Sequence, residues 1–226
     1  MWHIGKLRNG VIFNNDTYNC NSVFNRFIID YQITNFVLQG TDKGKSPMVD
    51  MRCSTSIALS WKPPRTRFLK LNTDGAWKNS EEGGGGGVFR TNKGEWYFGF
   101  SSKYNVVSAL AAELYALREG INYARAIPVR FLEVETDAQA IKGLLNKEPE
   151  DMHHELAALI IDVGRLLRNK DMTIIFNHIP RETNFVAHYL SRYAMDMHIG
   201  HKPHYTVPAS VKAAYDADIR AMGAIA

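Results

Sequence analysis

From residue 65 onward, the sequence predicts a mixed α/β domain. Strand-like runs alternate with helical repeats of apolar residues in the order strand, hairpin, helix, strand, helix, helix, strand, helix. A Pro63-Pro64 pair, which neither a helix interior nor a central strand accepts, precedes this pattern and marks a domain boundary. With 226 residues, 45% hydrophobic and 22% charged, the chain is long enough for one core plus appendages.

The first 64 residues differ in composition from the rest. A helical spacing of apolar residues ends near Tyr31, and residues 41–56 are polar with Gly, Lys and Pro, as in a linker. We therefore predict an N-terminal extension and linker (1–64), an α/β domain (65–198) and a C-terminal tail (199–226). The extension carries too many large apolar residues for a free tail, so we expect it to contact a partner protein. These residues are Trp2, Phe13, Phe24, Phe27 and Phe36.

The first strand and the hairpin follow the Pro pair. Residues 68–73 form the predicted strand, which Asp74 closes and after which Gly75 lets the backbone turn. A glycine run at 83–87 leads into a second strand, and Asn92-Lys93-Gly94 provides the turn to a third. Because the run has neither the GxxxxGK[ST] ending of a P-loop nor Rossmann spacing, it favours a strand whose backbone passes close to another element.

The remaining elements are mostly amphipathic helices. Ser108 is a candidate N-cap for a helix whose apolar stripe places Glu113 about 60° to one side, at the edge of the buried face. Strands are predicted at 131–136, which Asp137 ends, and at 172–178. Further helices are predicted from residue 138, over 154–167 and after residue 184, and the segment from residue 201 has weak helical periodicity.

Three carboxylates stand at positions that can converge. Asp74 and Asp137 each end a strand, and Glu113 lies on the helix between them. Each also has a simpler explanation, since Asp74 could be a turn residue, Glu113 a solvated charge and Asp137 a helix N-cap. Clustered carboxylates repel one another and need divalent cations to be stable. Such an oxygen-rich site suits Mg²⁺, and two ions ~3.5–4 Å apart can support phosphodiester cleavage.

Composition limits the partner and the compartment. The net charge of +4 and a pI of about 9.0 favour an anionic partner such as nucleic acid. Cys20 and Cys53 have neither metal-site spacing nor a disulfide framework, so we expect a reducing intracellular compartment. No apolar run approaches the ~20 residues of a membrane span, and the opening residues do not form a secretory signal, so no membrane contact is expected.

Five stretches of the chain form an ordered series, namely Lys70-Leu71-Asn72-Thr73-Asp74-Gly75-Ala76, Gly86-Gly87-Val88-Phe89-Arg90, Ala112-Glu113-Leu114-Tyr115-Ala116-Leu117, Glu135-Thr136-Asp137-Ala138 and His178-Ile179-Pro180-Arg181-Glu182-Thr183-Asn184. This series resembles a type-1 ribonuclease H domain, and more closely the reverse-transcriptase-like RNase H family that is abundant in plants and found in non-LTR retroelement polyproteins. The opening residues are similar to the segment preceding RNase H in those polyproteins, which implies a retroelement origin. The resemblance implies an RNase H-like fold with a mixed five-stranded sheet and helices on both faces.

The resemblance also implies a function and residue roles. The activity would be Mg²⁺-dependent cleavage of the RNA strand of RNA–DNA hybrids, leaving 3′-hydroxyl and 5′-phosphate ends. Asp74 would be shared by both metal ions, while Glu113 and Asp137 would complete one ion's shell. His178 matches a loop histidine associated with product release or proton transfer, although it could be a surface histidine. Gly75 and Asn184 are expected to contact nucleic acid.

The chain departs from the family at the fourth acidic position. Where the family has aspartate, the run Asn184-Phe185-Val186-Ala187-His188 places a histidine. Imidazole can ligate metals, but Mg²⁺ prefers oxygen whereas Mn²⁺ accepts nitrogen more readily, so both cations are considered. Two rival functions stay open: a domesticated, weakly active or inactive component of a ribonucleoprotein, and a nuclease for another structured nucleic acid such as structured RNA.

Overall fold

A mixed sheet of six strands organises the part of the chain that the computed structural model describes, residues 60–79, 81–146 and 155–223. The strands are β1 (Leu69–Asn79), β2 (Glu82–Arg90), β3 (Trp96–Tyr104), β4 (Phe131–Thr136), β5 (Thr173–His178) and β6 (Gly200–His204). Their order across the sheet is β5-β4-β1-β2-β3-β6. Strands β4 and β5 continue the sheet parallel to β1, whereas β2, β3 and β6 are joined by antiparallel pairing.

Five α-helices accompany the sheet in the described residues. They are α1 (Ala109–Arg125), α2 (Gln139–Leu145), α3 (Ala157–Leu167), α4 (Phe185–Met195) and α5 (Lys212–Gly223). Helix α1 begins as expected, because the Ser108 hydroxyl accepts the main-chain N–H of Ala111 at 3.2 Å. Its predicted apolar stripe is buried from Leu114 to Ile121. The predicted mixed α/β architecture is therefore confirmed.

The glycine run forms the centre of β2, where helices approach the backbone from both faces. A Cβ on Gly86 would lie 2.4 Å from the main-chain nitrogen of Ser191 in α4, and one on Gly85 would lie 2.9 Å from the Cβ of Ala116 in α1. Since successive strand residues point to opposite faces, α1 and α4 cover opposite faces of the sheet. The run is thus a strand with close backbone contacts, as the sequence predicts, and not a phosphate loop.

The first strand is longer than predicted. Asp74 does not close it and Gly75 does not turn, because these residues pair with Gly86 and Gly85 of β2. Parallel pairing with β4 does end at Thr73, opposite Thr136. One neighbour of β1 therefore stops just before Asp74 while the other continues. The sequence around Asp74 therefore indicates where the parallel pairing with β4 ends, but not that β1 continues beside β2.

Segments on either side of the predicted domain also contact the sheet. Strand β6 adds a sixth strand beside β3, beyond the five expected, and α5 follows it. The buried Arg90 joins α5 to the sheet, since its guanidinium contacts Asp218 at 2.6 Å and lies 3.6 Å above the ring of Trp61. The indole N–H of Trp61 donates to Asn72 at 2.9 Å. The predicted domain limits, residues 65 and 198, stay predictions. The contacts described above involve residues before the first limit and after the second.

The predictions for the extension fall outside the described residues. These include the helical spacing near Tyr31, the linker at 41–56 and the contact with a partner protein. Among the residues that are described, no helix combines the length and the apolar character that crossing a bilayer requires.

Candidate active site

Asp74 and Asp137 lie side by side because β1 and β4 run parallel. Thr73 and Thr136 are opposite each other in the register, and each aspartate is the next residue in its chain. The carboxyl ends of neighbouring parallel strands meet at one edge of a sheet, which is a common position for functional side chains. Ligand oxygens of Asp74, Asp137 and Glu113 all lie within 4.8 Å of one another. The structure thus brings together the three carboxylates that the sequence predicts to converge.

Glu113 reaches this edge because α1 rests directly on Gly75. The N–H of Gly75 donates to the Glu113 carboxylate, and a Cβ on Gly75 would come within 2.3 Å of the main-chain nitrogen of Glu113. The glycine therefore sets the separation between α1 and β1 at the site. Its expected contact with nucleic acid stays a prediction, whereas its contact with Glu113 is a structural one.

Two of the three carboxylates, Glu113 and Asp137, have raised pKa values. Burial raises the pKa of Glu113 well above its ordinary value, and the charges of Asp74 and then Asp137 raise it further. Burial, followed by the charge of Asp74, also raises the pKa of Asp137. The positive charge of Arg181 acts in the opposite direction on both groups but is a smaller effect. The site therefore concentrates more negative charge than its neighbours neutralise.

The donor set fits a divalent cation. The Oε2 atom of Glu113 is buried and has no hydrogen-bond partner among the described residues. A buried carboxylate oxygen without a partner is costly, and a cation shared with Asp74 and Asp137 would satisfy it while relieving the repulsion. Three carboxylates present only oxygen ligands, which Mg²⁺ and Mn²⁺ both accept.

Asp137 is not the N-cap of α2, which was the simpler explanation for it. The N-cap position is Ala138, and no side chain caps that helix end. Instead, the side-chain amide of Asn184 donates to Asp137 Oδ1 and to the main-chain oxygen of Thr73, both at 2.9 Å. The buried Asn184 thereby ties the start of α4 to the ends of β1 and β4. Its expected contact with nucleic acid stays a prediction, and the contacts observed position Asp137.

His178 lies beside the carboxylates at the end of β5. It is the register partner of Thr136, and its Nε2 atom is 3.2 Å from the main-chain oxygen of Asp137. The imidazole is exposed to solvent. It is therefore close enough to the site for the proton-transfer role expected from the sequence, which stays a prediction.

His188 faces the site from α4. Its Nδ1 atom is 3.4 Å from Asp74 Oδ2, which is a long and weak contact. Its other neighbour is the Arg181 guanidinium, whose Nη2 atom lies 3.4 Å from Nδ1 and 3.5 Å from Nε2. The residue at the fourth position therefore faces the carboxylate site, where it lies between the Asp74 carboxylate and the Arg181 guanidinium.

Sequence reasoning missed two residues at the site. Arg181 brings a positive charge to it from the 3-10 turn Arg181–Thr183, and Ser191 donates its hydroxyl to Asp74 Oδ2. Ser191 lies one turn after His188 in α4, so the i, i+3 spacing could have placed it on the same face. Arg181 carries no such signal, because no residue spacing in the sequence indicates that the 3-10 turn lies beside the carboxylates.

Comparison with known proteins identifies relatives of this arrangement. Residues 72–194, more than half of the 226, match the model of the family described as "Reverse transcriptase-like". An Arabidopsis thaliana protein named "Putative ribonuclease H protein At1g65750" is 31% identical over 151 residues, which are 66% of this chain and 24% of that protein. The chain thus spans about a quarter of this relative's length.

Solved structures share the fold. RNase H1 from the archaeon Halobacterium salinarum superimposes with a TM-score of 0.50 at 20% identity, covering 57% of this chain and 98% of that one. The N-terminal RNase H domain of a Mycobacterium tuberculosis protein gives a TM-score of 0.51 at 18% identity, covering 65% and 98%. At such identities the likeness is one of fold, so the activity has to be argued from the site.

Proposed function

Because this chain belongs to the reverse transcriptase-like family and has an RNase H-like fold, we propose that it is an endonuclease that hydrolyses the RNA strand of RNA–DNA hybrids. Mg²⁺ would be its cofactor and Mn²⁺ a more effective substitute. The observation that carries the proposal is the convergence of Asp74, Glu113 and Asp137, whose ligand oxygens lie within 4.8 Å of one another. A phosphodiester is the substrate class that such a cluster serves once it holds divalent cations.

The three carboxylates would hold the cations. When bound, these supply Lewis-acid stabilisation of the phosphoryl oxygens and lower the pKa of the attacking water. Asp74 is the residue best placed to be shared, since it is buried at the centre of the cluster and fixed by the Ser191 hydroxyl. Asn184 fixes the orientation of the Asp137 carboxylate in the same way. The site is therefore preorganised by hydrogen bonds that do not depend on substrate.

Two further side chains would act on the substrate. The Arg181 guanidinium, near the carboxylates and exposed, can pair with a phosphate oxygen next to the scissile bond. The exposed imidazole of His178, anchored to the main chain of Asp137, can carry a proton toward the leaving oxygen.

His188 would weaken the activity compared with an aspartate at that position. An imidazole contributes nitrogen and no negative charge when neutral, so the second cation loses a hard oxygen ligand. Mn²⁺ tolerates nitrogen better than Mg²⁺ does. We therefore expect slow cleavage with Mg²⁺ and faster cleavage with Mn²⁺.

A second candidate function follows from Arg181 and His188. Together they place a guanidinium within 3.4 Å of an imidazole that contacts Asp74 at the same distance. The Arg181 guanidinium offsets part of the carboxylate repulsion without metal, which an inactive domain would need. In this alternative the chain is a retroelement-derived domain that binds nucleic acid within a ribonucleoprotein, and residues 1–64 contact a protein partner.

A substrate panel separates the two candidates. Labelled RNA would be presented as an RNA–DNA hybrid, as duplex RNA and as a single strand, with binding and cleavage measured in parallel and Asp74→Asn as the control. We expect cleavage of the hybrid alone, with loss in the Asp74→Asn variant. Binding without cleavage of any RNA, in either metal, would support the inactive candidate, and cleavage of duplex RNA would identify a nuclease for structured RNA.

A further inference from the structure

A pocket of about 530 Å³ lies between the end of β1 and the outer side of α4. It contains residues of three kinds, namely exposed aromatic rings, basic residues and acidic residues, and no part of the proposed reaction uses them. Those that matter here are Trp77, Lys78, Glu82, Tyr189, Arg192 and Asp196. A pocket that combines solvent-exposed aromatic side chains with hydrogen-bonding groups is suited to a planar polar ligand.

Tyr189 provides the ring surface. It is 45% exposed, and Phe185 supports it from the same helix, with ring centroids 6.4 Å apart in a stacked arrangement. Trp77 lines the pocket from β1, but it lies two residues after Gly75 and so on the face of the strand that α1 covers. Tyr193 has the Lys202 ammonium 4.7 Å from its ring centroid and is already engaged. Tyr189 is therefore the ring available for stacking.

The charges of the pocket balance. Lys78 pairs with Glu82 at 3.0 Å, and Arg192 and Asp196 contribute one further charge of each sign. A phosphate would gain little from such a balanced lining. An uncharged heterocycle with donor and acceptor groups on its edge would stack on Tyr189 and hydrogen-bond to the charged groups around it.

The pocket and the carboxylate site are built on the same two elements, β1 and α4. Tyr189 follows His188 directly, and Trp77 lies three residues beyond Asp74 in the same strand. Three strand residues span roughly 10 Å, which equals about three nucleotides of a stacked strand at ~3.4 Å each. A nucleic-acid strand whose phosphodiester lies at Asp74 can therefore reach the pocket within a few nucleotides.

From these observations we propose that the pocket binds the base of an unpaired nucleotide that flanks the hybrid. The base stacks on Tyr189, and Arg192 contacts its polar edge or the adjoining sugar. The proposal rests on the proposed function, because it takes the carboxylate site to hold a hybrid. It adds a preference for hybrids that carry a single-stranded extension, from either the RNA or the DNA strand.

Binding measured without cleavage tests the proposal. In the full chain carrying Asp74→Asn, fluorescence anisotropy would compare a blunt hybrid with the same hybrid extended by a short single strand at each of its four ends. An abasic extension, which keeps the phosphates and lacks the bases, is included for the best end. Tyr189→Ala and Tyr189→Phe are the test variants, and Tyr97→Ala, at another partly exposed tyrosine, is the matched control.

We expect one extension to tighten binding about 5-fold or more, as stacking on an aromatic side chain does. Tyr189→Ala and the abasic extension should abolish that gain, whereas Tyr189→Phe and Tyr97→Ala should keep it. The end that gives the gain identifies the strand. If the blunt hybrid binds and no extension improves it, or the abasic extension binds equally well, the pocket proposal is overturned while the proposed function stands. If instead a single-stranded oligonucleotide binds through Tyr189 and no hybrid binds, the proposed function fails and the base pocket stands.

Discussion

The main-chain nitrogen of Glu113 lies so close to Gly75 that a Cβ atom on this glycine would be 2.3 Å from it. Helix α1 and strand β1 are therefore in main-chain contact at the site, with no side chain between them. The close approach lets the Gly75 N–H donate to the Glu113 carboxylate and brings that carboxylate beside Asp74. One glycine thus determines the geometry of the carboxylate cluster.

The Gly75→Ala variant tests this relationship. The added methyl group meets main-chain atoms of α1, which cannot rotate away, so we expect a loss of about 1–3 kcal/mol in the free energy of unfolding. Gly143→Ala is the matched control, since no atom lies within 4 Å of the position that its new Cβ would occupy, and it should be neutral or slightly stabilising. Urea denaturation of both variants measures the difference, and equal stability would contradict the account.

The elements of the domain were predictable because each has a strong local signal. The predicted strand at 131–136 is observed with the same bounds, and Ser108 caps α1 as expected. Strand β6 had no such signal, since Gly200–His204 lacks the apolar alternation of a strand and depends on pairing with β3. The continuation of β1 through Gly75 was missed for a related reason, because a glycine after an aspartate is also typical of a turn.

Glu113→Gln should stabilise the protein in the absence of divalent metal. Because the folded-state pKa of Glu113 is raised above its ordinary 4.5, its contribution to stability is full below pH 4.5 and is lost as the pH rises through the folded value. The amide has no charge to lose, so at pH 8 we expect Glu113→Gln to unfold at a higher temperature than wild type.

The same variant should lose its thermal response to Mn²⁺, which stabilises the wild-type chain by binding the folded state. Thermal melts with EDTA and with Mn²⁺, at pH 5 and pH 8, measure both effects. Glu155→Gln, an exposed glutamate elsewhere, is the control and should behave as wild type. An equal Mn²⁺ response in Glu113→Gln and wild type would contradict the assignment of Glu113 as a ligand.

His201 should make β6 more stable at low pH. Its hydrogen bond to Glu119, at 2.8 Å, raises the pKa of the imidazole above its ordinary 6.5. The stabilisation is therefore full below pH 6.5 and is lost as the pH rises through the folded value. Because the imidazole is 60% exposed, the effect should amount to about 0.2–1 kcal/mol. The difference in unfolding free energy between pH 5.5 and pH 8.5 should be smaller in His201→Gln than in wild type by this amount, and an equal difference in the two proteins would contradict the prediction.

Asp218→Ala should destabilise the fold strongly, although the residue lies in a segment predicted to be a tail. It leaves the fully buried Arg90 guanidinium without its carboxylate partner, which typically costs about 3–5 kcal/mol. Asp216→Ala removes an exposed ion pair with Lys212 in the same helix and should cost less than about 0.5 kcal/mol. Similar unfolding midpoints for the two variants would show that α5 does not stabilise the sheet.

The carboxylate cluster was predictable because Asp74 and Asp137 follow the last paired residues of two neighbouring parallel strands, and Glu113 flanks the apolar stripe of the helix between them. The environment of His188, by contrast, could not be predicted from the sequence. Arg181 reaches it from a 3-10 turn, and Ser191 reaches Asp74 only because Gly84 and Gly86 let α4 lie against β2. Contacts of this kind depend on the distance between elements, which sequence periodicity does not encode.

The most direct test of the central claim is the rate of RNA cleavage in a hybrid, measured for wild type, Asp74→Asn and His188→Asp with Mg²⁺ and with Mn²⁺. We predict slow cleavage by wild type with Mg²⁺, faster cleavage with Mn²⁺ and none by Asp74→Asn. His188→Asp restores an oxygen ligand and should raise the Mg²⁺ rate at least about 10-fold, equivalent to roughly 1.4 kcal/mol of transition-state stabilisation. If wild type and His188→Asp both bind the hybrid and neither cleaves it with either metal, the catalytic account is contradicted.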